Sequence, residues 1–360
     1  MDVETKLSLI KDFAEEIVTE DELRQIFETV KNPIAYDGFE PSGIAPIHFG
    51  LLRATNLKKM NQAGVKFKLY LADYFGFVNN KVGGDLDNIR TVGKYFIEVW
   101  KASGVDTSKV EFIWAKDLMD GLEYWDRALN VAKALTLERT LRATTIMGRS
   151  MEDKLSMGQL MYPIMQVTDI FQMDVDICQL GMDQRRANIL AREVADKYKW
   201  KKPAAVHHHI LMGLAGIKKT DATDSEEKIM MASKMSKSDP KSCIYMHDTL
   251  AEINDKLKGA YCPQKVAEGN PIMEYAKYLV FKNSSELTIE RPEKYGGNLE
   301  FHTYEELEKF YLDKGIHPQD LKNAVAIKLD ELIEPVRSHF EKNPSAKKLY
   351  EEVKSFGITR

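Results

Sequence analysis

The chain has 360 residues and a mass of 41.2 kDa, with 44% hydrophobic and 29% charged residues, which predicts two or three folded domains and excludes bulk disorder. A net charge of -4 and an isoelectric point of about 6.1 exclude a global basic field, so any nucleic-acid contact must rest on local patches. Cys178, Cys243 and Cys262 lack paired spacing, which predicts no disulfide and no zinc, and the charged opening Met1 to Lys6 with no membrane-length apolar run predicts a cytoplasmic protein.

Leu7, Ile10, Phe13 and Ile17 at helical spacing, then the capping box Thr19-Glu20-Asp21-Glu22 ahead of Leu23, Ile26 and Phe27, predict an opening pair of helices over residues 1–30. Short apolar strand candidates follow at Ile34 to Gly38, Phe67 to Ala72, Val110 to Trp114, Val175 to Leu180 and Val206 to Leu211, separated by long amphipathic stretches. This alternation predicts an α/β fold: a Rossmann-like parallel sheet with right-handed crossovers over 31–245, carrying a helical insertion at about 116–172. Strand signals fade after about residue 245, and helical periodicity predicts a mostly α-helical second domain over 246–360.

In such a sheet ligands bind outside the carboxyl ends of the strands, which singles out three segments. Tyr36-Asp37-Gly38-Phe39-Glu40-Pro41-Ser42-Gly43 leads into Pro46-Ile47-His48-Phe49-Gly50 and a helix; Gly38 and Gly43 permit close backbone approach, and His48 at the helix start either caps or meets a phosphate. Tyr162, Gln166 and Asp169, at i, i+4 and i+7, share an arc of about 60 degrees on a helix otherwise apolar nearly all round. Burying that stripe is costly unless it is paired, by a structural hydrogen-bond network or by a small polar ligand. Gly181-Met182-Asp183-Gln184 opens another helix, with Asp183 as the expected N-cap and Gln184 projecting at the strand end.

Farther on, Lys197-Tyr198-Lys199-Trp200-Lys201-Lys202 reads either as an RNA-binding patch or as a cationic helix end suited to the helix dipole. His207-His208-His209 alternates direction along a strand, so the three cannot all ligate one metal. Lys234-Met235-Ser236-Lys237-Ser238, followed by Asp239-Pro240, is a polar, turn-prone loop that reads as a solvated basic segment or as a polyanion site, with ammonium groups on flexible stems and approachable backbone amides.

The segment His48-Phe49-Gly50 at the first strand-to-helix turn and Lys234-Met235-Ser236-Lys237-Ser238 after the last strand together resemble the two signatures of class I aminoacyl-tRNA synthetases. The loop from Tyr36 to Gly43, the segment Tyr162-Pro163-Ile164-Met165-Gln166 with Asp169, Gly181 to Gln184, Glu268 to Glu274, Arg291 to Gly297 and His317 to Asn323 resemble the tyrosyl-tRNA synthetases of archaea and eukaryotes, over about residues 20–340. Two departures from the signature stand out: Leu51 replaces its second histidine, and Ile44-Ala45-Pro46 lengthens the loop before His48.

The resemblance implies a tyrosine–tRNA ligase that couples L-tyrosine to ATP as tyrosyl-adenylate and passes it to the 3′ adenosine of tRNA(Tyr). It implies that Tyr36 and Asp169 hold the phenol and that Tyr162, Gln166 and Gln184 hold the amino group. It places ATP, entering with Mg²⁺, against Gly38, Glu40, His48, Gly50, Lys234, Met235, Ser236, Lys237 and Ser238, with His48, Lys234 and Lys237 in the catalytic role. It further implies anticodon contacts at Tyr295, His317 and Asp320, a homodimer, and acceptor-stem contacts near Arg185 and Arg186. A tryptophan enzyme shares the architecture, but an indole has no hydroxyl to justify Asp169 opposite Tyr36. A non-catalytic RNA-binding relative leaves the lysines and the tyrosine-type pocket without a role, and a small-molecule adenylating ligase does the same for the C-terminal motifs.

Overall fold

The structure is a computed structural model that describes residues 1–148, 154–217, 233, 235 and 242–356. Its centre is a six-stranded sheet in the order β1-β6-β5-β2-β3-β4, comprising β1 (Ala14–Val18), β2 (Ile34–Phe39), β3 (Lys66–Leu71), β4 (Val110–Trp114), β5 (Ile177–Gly181) and β6 (Ala204–His208). Strands β2 to β6 run parallel, in line with the apolar runs that marked them in the sequence. The edge strand β1 pairs antiparallel with β6.

That edge strand corrects the expected opening pair of helices. Helix α1 (Val3–Lys11) ends at its cap Asp12, Ile17 lies in β1, and α2 (Glu20–Thr29) begins from the Thr19 capping box. A spacing of four keeps two side chains on one face of a strand as well as of a helix, so Phe13 and Ile17 did not distinguish the two, and β6 supplied an open ladder to pair with.

Crossovers cover both faces. Helix α3 (Arg53–Gln62) leads from β2 to β3, α4 (Asp73–Val78) and α5 (Leu86–Ala102) lead to β4, and α6 (Ala115–Leu118), α7 (Leu122–Ala134), α8 (Leu137–Ala143) and α9 (Met157–Gln172) lie between β4 and β5. Helix α10 (Arg185–Tyr198) returns to β6. Alternation along the strands sends Ala35, Phe67 and Ile177 into the layer of α1, α3, α5 and the C-terminal helices, and Tyr36, Tyr70 and Cys178 into the layer of α7, α9 and α10. The chain order reverses between β5 and β2, which opens a crevice at their carboxyl ends.

The C-terminal half holds the helices Leu250–Lys258, Tyr304–Asp313, Pro318–Lys342 and Pro344–Ser355. It also holds a hairpin of β7 (Leu287–Ile289) and β8 (Leu299–Phe301), missed in the sequence because each strand offers three residues. This half is bound to the first by a shared aromatic core. Tyr95 of α5 meets Phe340 at 5.5 Å, and His247 stacks on Tyr350 at 3.8 Å. His339 Nε2 lies 2.9 Å from Glu98 Oε2 on α5.

The three successive histidines have three separate partners. His207 Nδ1 lies 2.8 Å from Glu16 Oε2, and His208 Nδ1 lies 2.7 Å from Gln179 Nε2. His209 sits between Glu15 of β1 at 3.1 Å and Glu274 of the C-terminal half at 3.2 Å, with its ring stacked on Tyr278 at 4.1 Å. Burial works against the imidazolium, but the two carboxylates prevail and raise His209 to about 9.

Because this folded-state value lies above the ordinary 6.5, the contribution is complete below about pH 6.5 and is lost as pH rises through about 9. Replacing His209 by Gln is expected to cost about 1 kcal/mol at pH 6, kept low by the solvent exposure of Glu15, and almost nothing at pH 10. Thermal melts of both proteins across that range check this; a difference that does not change with pH contradicts it.

Candidate active site

At the β5–β2 crevice lies a cleft of about 250 Å³ whose inner wall is the polar stripe of α9. The helix starts at a capping box, with Ser156 accepting from Gln159 N, and its apolar surround buries Tyr162, Gln166 and Asp169 almost completely. Each stripe residue is paired with a different element. Tyr162 Oη donates to Glu40 Oε1 at 2.6 Å, and Glu40 also accepts from Asn79 Nδ2 and lies 3.6 Å from Lys81 Nζ. Gln166 Nε2 donates to Gln184 Oε1 at 3.1 Å, and Gln184 Nε2 donates to Ile146 O at 3.0 Å. Asp169 Oδ1 accepts from Tyr124 Oη of α7 at 2.8 Å.

At the buried end three polar atoms are left over. Tyr36 Oη, Tyr70 Oη and Asp169 Oδ2 are buried and make no hydrogen bond of full geometry among the described residues, although the Tyr70 hydroxyl lies close enough to Asp169 to favour its ionised form, and all three residues line the cleft. Burial raises the Asp169 carboxyl to about 7, opposed by the hydroxyls of Tyr124 and Tyr70, which favour its ionised form. Burial likewise holds the Tyr36 hydroxyl well above the usual phenol range. A carboxylate beside hydroxyl donors suits a ligand hydroxyl that must donate and accept at once. Nearer the mouth, Glu40, Tyr162 and the Gln166–Gln184 pair offer acceptors to an ammonium group.

Asp37, next to Tyr36, is buried and raised to about 7, chiefly by desolvation and against the pull of Arg53. Arg53 Nη1 lies 3.3 Å from both of its oxygens, and its guanidinium lies over Phe39 at 4.4 Å. This places a cation in the cleft wall at the start of α3.

His48 and Gly50 lie on the turn that leads into α3. Residues His48–Leu52 form a π-helical turn running into α3, held by Phe49 against Phe39 at 4.9 Å, Phe96 at 4.2 Å and Trp100 at 4.6 Å. His48 Nδ1 contacts Met235 Sδ at 3.4 Å, so residues from the two signatures touch. Met235 N donates to Leu211 O, while Ile47 N donates to Ile244 O and Met246 N to Ala45 O. The chain is thus pinned beside His48 both at Met235 and again at Ile244 to Met246. Gly50 permits this approach, because a Cβ there would meet Met246 Sδ at 2.8 Å. Lys234, Ser236, Lys237 and Ser238 lie outside the described residues.

Other expectations are placed as follows. Asp183 does not cap α10 by its side chain: it belongs to the short turn Met182–Gln184 and lines the cleft, because the chain leaves β5 through that turn before the helix begins. Arg185 Nε donates to Glu16 at 2.8 Å, and Arg186 Nη1 donates to Arg142 O at 2.6 Å. Lys201 pairs with Asp176 at 2.8 Å and Lys202 with Asp196 at 2.9 Å, both lysines lying beyond the end of α10. Tyr295 is 63% exposed on the turn Glu293–Tyr295, and His317 caps the helix Pro318–Lys342 by accepting from Gln319 N. Asp320, in the first turn of that helix, borders a groove of about 620 Å³ with Thr288 and Asn323, and none of these three anticodon candidates lines the cleft.

Tyr70, Tyr124 and Arg53 are cleft-region residues that the sequence reading passed over. Tyr124 sits in the amphipathic insertion with no motif around it, and only the packing of α7 on α9 brings its hydroxyl to Asp169.

Residues 29–334 match the family model of the class I tRNA synthetases for tryptophan and tyrosine. The chain is 44% identical over its full length to a cytoplasmic tyrosine–tRNA ligase of Arabidopsis thaliana, covering 90% of that protein. It is 42% identical to the tyrosine–tRNA ligase of Thermococcus kodakarensis, covering all of both chains. Its fold superposes on the tyrosyl-tRNA synthetase of Pyrococcus horikoshii complexed with L-tyrosine with a TM-score of 0.90 and 38% identity, over 98% of this chain and 100% of that one. The match thus spans the cleft, both signatures and the C-terminal half, and the chain belongs to the class I tRNA synthetases, among the tyrosine–tRNA ligases.

Proposed function

We propose that the cleft activates L-tyrosine with ATP and that the chain transfers the tyrosyl group to the 3′ adenosine of tRNA(Tyr) for cytoplasmic protein synthesis. The observation that carries this reading is the set of buried atoms Tyr36 Oη, Tyr70 Oη and Asp169 Oδ2 in the cleft lining, none of which makes a full hydrogen bond among the described residues. A phenol satisfies them: its proton goes to Asp169 and its lone pairs accept from the tyrosine hydroxyls. Phenylalanine leaves them desolvated and unpaired, at a cost of about 1–3 kcal/mol for each such group. The indole of tryptophan brings no hydroxyl there.

The amino group then meets Tyr162, Gln166 and Gln184, which directs the tyrosine carboxylate toward His48. In the first step a carboxylate oxygen attacks the α-phosphorus of ATP, the bond to the β-phosphate oxygen breaks, and pyrophosphate leaves. In the second, the 3′-terminal ribose hydroxyl attacks the tyrosyl carbonyl and AMP leaves. No covalent enzyme intermediate is required, so catalysis is positioning plus charge stabilisation. ATP enters as the Mg²⁺ complex and lies along Gly38, Glu40, His48 and Gly50, with Lys234 and Lys237 on its phosphates beside Met235, Ser236 and Ser238.

For the tRNA we assign the anticodon to the C-terminal half, with Tyr295 as an exposed ring for base stacking and His317 and Asp320 as polar contacts. The working unit is a homodimer. Leu122, Trp125 and Leu129 recur at i, i+3 and i+7 and stand exposed on α7, an apolar stripe that a second copy of the same helix would cover.

ATP–pyrophosphate exchange against each of the twenty amino acids tests the assignment. Exchange is expected with tyrosine; exchange with tryptophan and not tyrosine would sink it. Asp169→Ala is expected to reduce the preference for tyrosine over phenylalanine by about 10- to 100-fold, and unchanged selectivity would make the stripe purely structural. Asp320→Ala is expected to weaken tRNA charging with adenylate formation intact, so a slowed first step contradicts the anticodon role.

A further inference from the structure

We infer that Tyr124 is a positioning residue that commits Asp169 to accepting the substrate phenol through Oδ2. The inference rests on the functional reading above. Its starting point is a carboxylate 1% exposed in the lining of the cleft, with a hydroxyl bound to one oxygen and the other buried without a hydrogen bond among the described residues.

Tyr124 Oη lies 2.8 Å from Asp169 Oδ1, and Tyr124 is itself fully buried. A tyrosine hydroxyl has one proton to donate, and here it occupies one of the two lone-pair sites of Oδ1. Oδ2, which accepts no such bond among the described residues, is therefore the oxygen that better accommodates any proton Asp169 acquires. There it competes with the proton that the substrate phenol brings. Tyrosine binding through Oδ2 thus requires the ionised carboxylate, and the Tyr124 hydrogen bond favours that form while holding the group in register.

The surroundings leave this task to hydroxyls. From β3, Tyr70 lies close enough to favour the ionised carboxylate, and from β2, Tyr36 feels its charge without completing a hydrogen bond. From α9 itself, Tyr162 is tied to Glu40 and Gln166 to Gln184. From β5, Cys178 is a buried thiol raised by desolvation and lowered by Arg192 of α10. Asp73 of α4 is held by Arg90 at 2.9 Å, Asp183 lines the cleft from the β5–α10 turn, and Arg127 of α7 is engaged with Phe171 O and Glu123. Burial raises Asp169 to about 7, so at neutral pH the balance between the two forms is close and one hydroxyl shifts it appreciably.

The test is tyrosine-dependent ATP–pyrophosphate exchange by wild type, Tyr124→Phe and Tyr70→Phe from pH 6 to pH 9.5. In wild type, kcat/KM for tyrosine is expected to rise with pH through a limb near 7. Removing a hydroxyl that favours the ionised form raises the group's pKa, so in Tyr124→Phe the limb moves about one unit higher. The KM for tyrosine rises about fivefold at pH 7 and returns to within about twofold of wild type at pH 9.5, with kcat little changed. A loss equal at every pH, or no change, overturns the role assigned to Tyr124. Should Tyr124→Phe fail to fold, Tyr70→Phe must move the same limb upward, and an unmoved limb overturns the inference. Absence of tyrosine-dependent exchange in wild type is a separate outcome: it overturns the functional reading, and this one with it.

Discussion

A buried carboxylate with no cation acting on it among the described residues is the constraint around which this molecule is arranged. Asp169 lies on a helix whose remaining surface is apolar, and carrying such a group into the interior is unfavourable unless every nearby dipole is aligned to it. The fold answers with hydroxyls from separate elements, Tyr124 from α7 and Tyr70 from β3, and brings Tyr36 of β2 into the same cleft. The pairing is deliberately incomplete, because Oδ2 and two hydroxyls are left facing the cleft. A buried network that is one partner short is destabilising in the free protein, and on the function proposed above a phenol supplies the missing partner. Specificity and strain here have one source.

The geometry that permits this follows from the order of the sheet. The chain builds β2, β3 and β4 outward in one direction, then returns to lay β5 and β6 on the other side of β2. The reversal leaves the carboxyl ends of β2 and β5 without a covering crossover, and the loop carrying Glu40, the turn carrying Gln184 and the stripe of α9 all converge there. Residues separated by 122 positions, Glu40 and Tyr162, meet within hydrogen-bond distance for this reason. The aromatic group of Phe39, Phe49, Phe96 and Trp100 fixes the π-helical turn at His48. Met235 is then held against that histidine, so two segments nearly two hundred residues apart meet at the edge of the cleft.

The two halves of the chain are coupled by specific contacts. Glu274, at the end of a segment noted in the sequence only for its resemblance, accepts from Met212 N at 2.6 Å and faces His209. His209 in turn reaches Glu15 on the edge strand, so a single imidazolium connects the N-terminal edge, the last parallel strand and the C-terminal half. With the Tyr95, His247, Phe340 and Tyr350 rings beside α5, this binds the helical half to the sheet through a continuous core.

All five parallel strands, the long helices between them and the helical C-terminal half were legible in the sequence, because apolar runs and 3.6-residue periodicity are local properties of a chain that must bury one face. The stripe of Tyr162, Gln166 and Asp169 was legible for the same reason, since helix geometry alone puts those positions together. The edge strand at Ile17 and the short β7–β8 hairpin were not, because a spacing of four serves both periods and three residues carry too little pattern. By itself, then, the sequence determined which residues would be buried, which polar residues would share a face and which segments resembled the synthetase signatures. Only the tertiary structure decided that Tyr124 and Tyr70 complete the Asp169 site, that Arg53 stands against Asp37, and that His48 meets Met235. Those pairings join elements far apart in the chain, and local periodicity carries no information about which helix will pack across which strand.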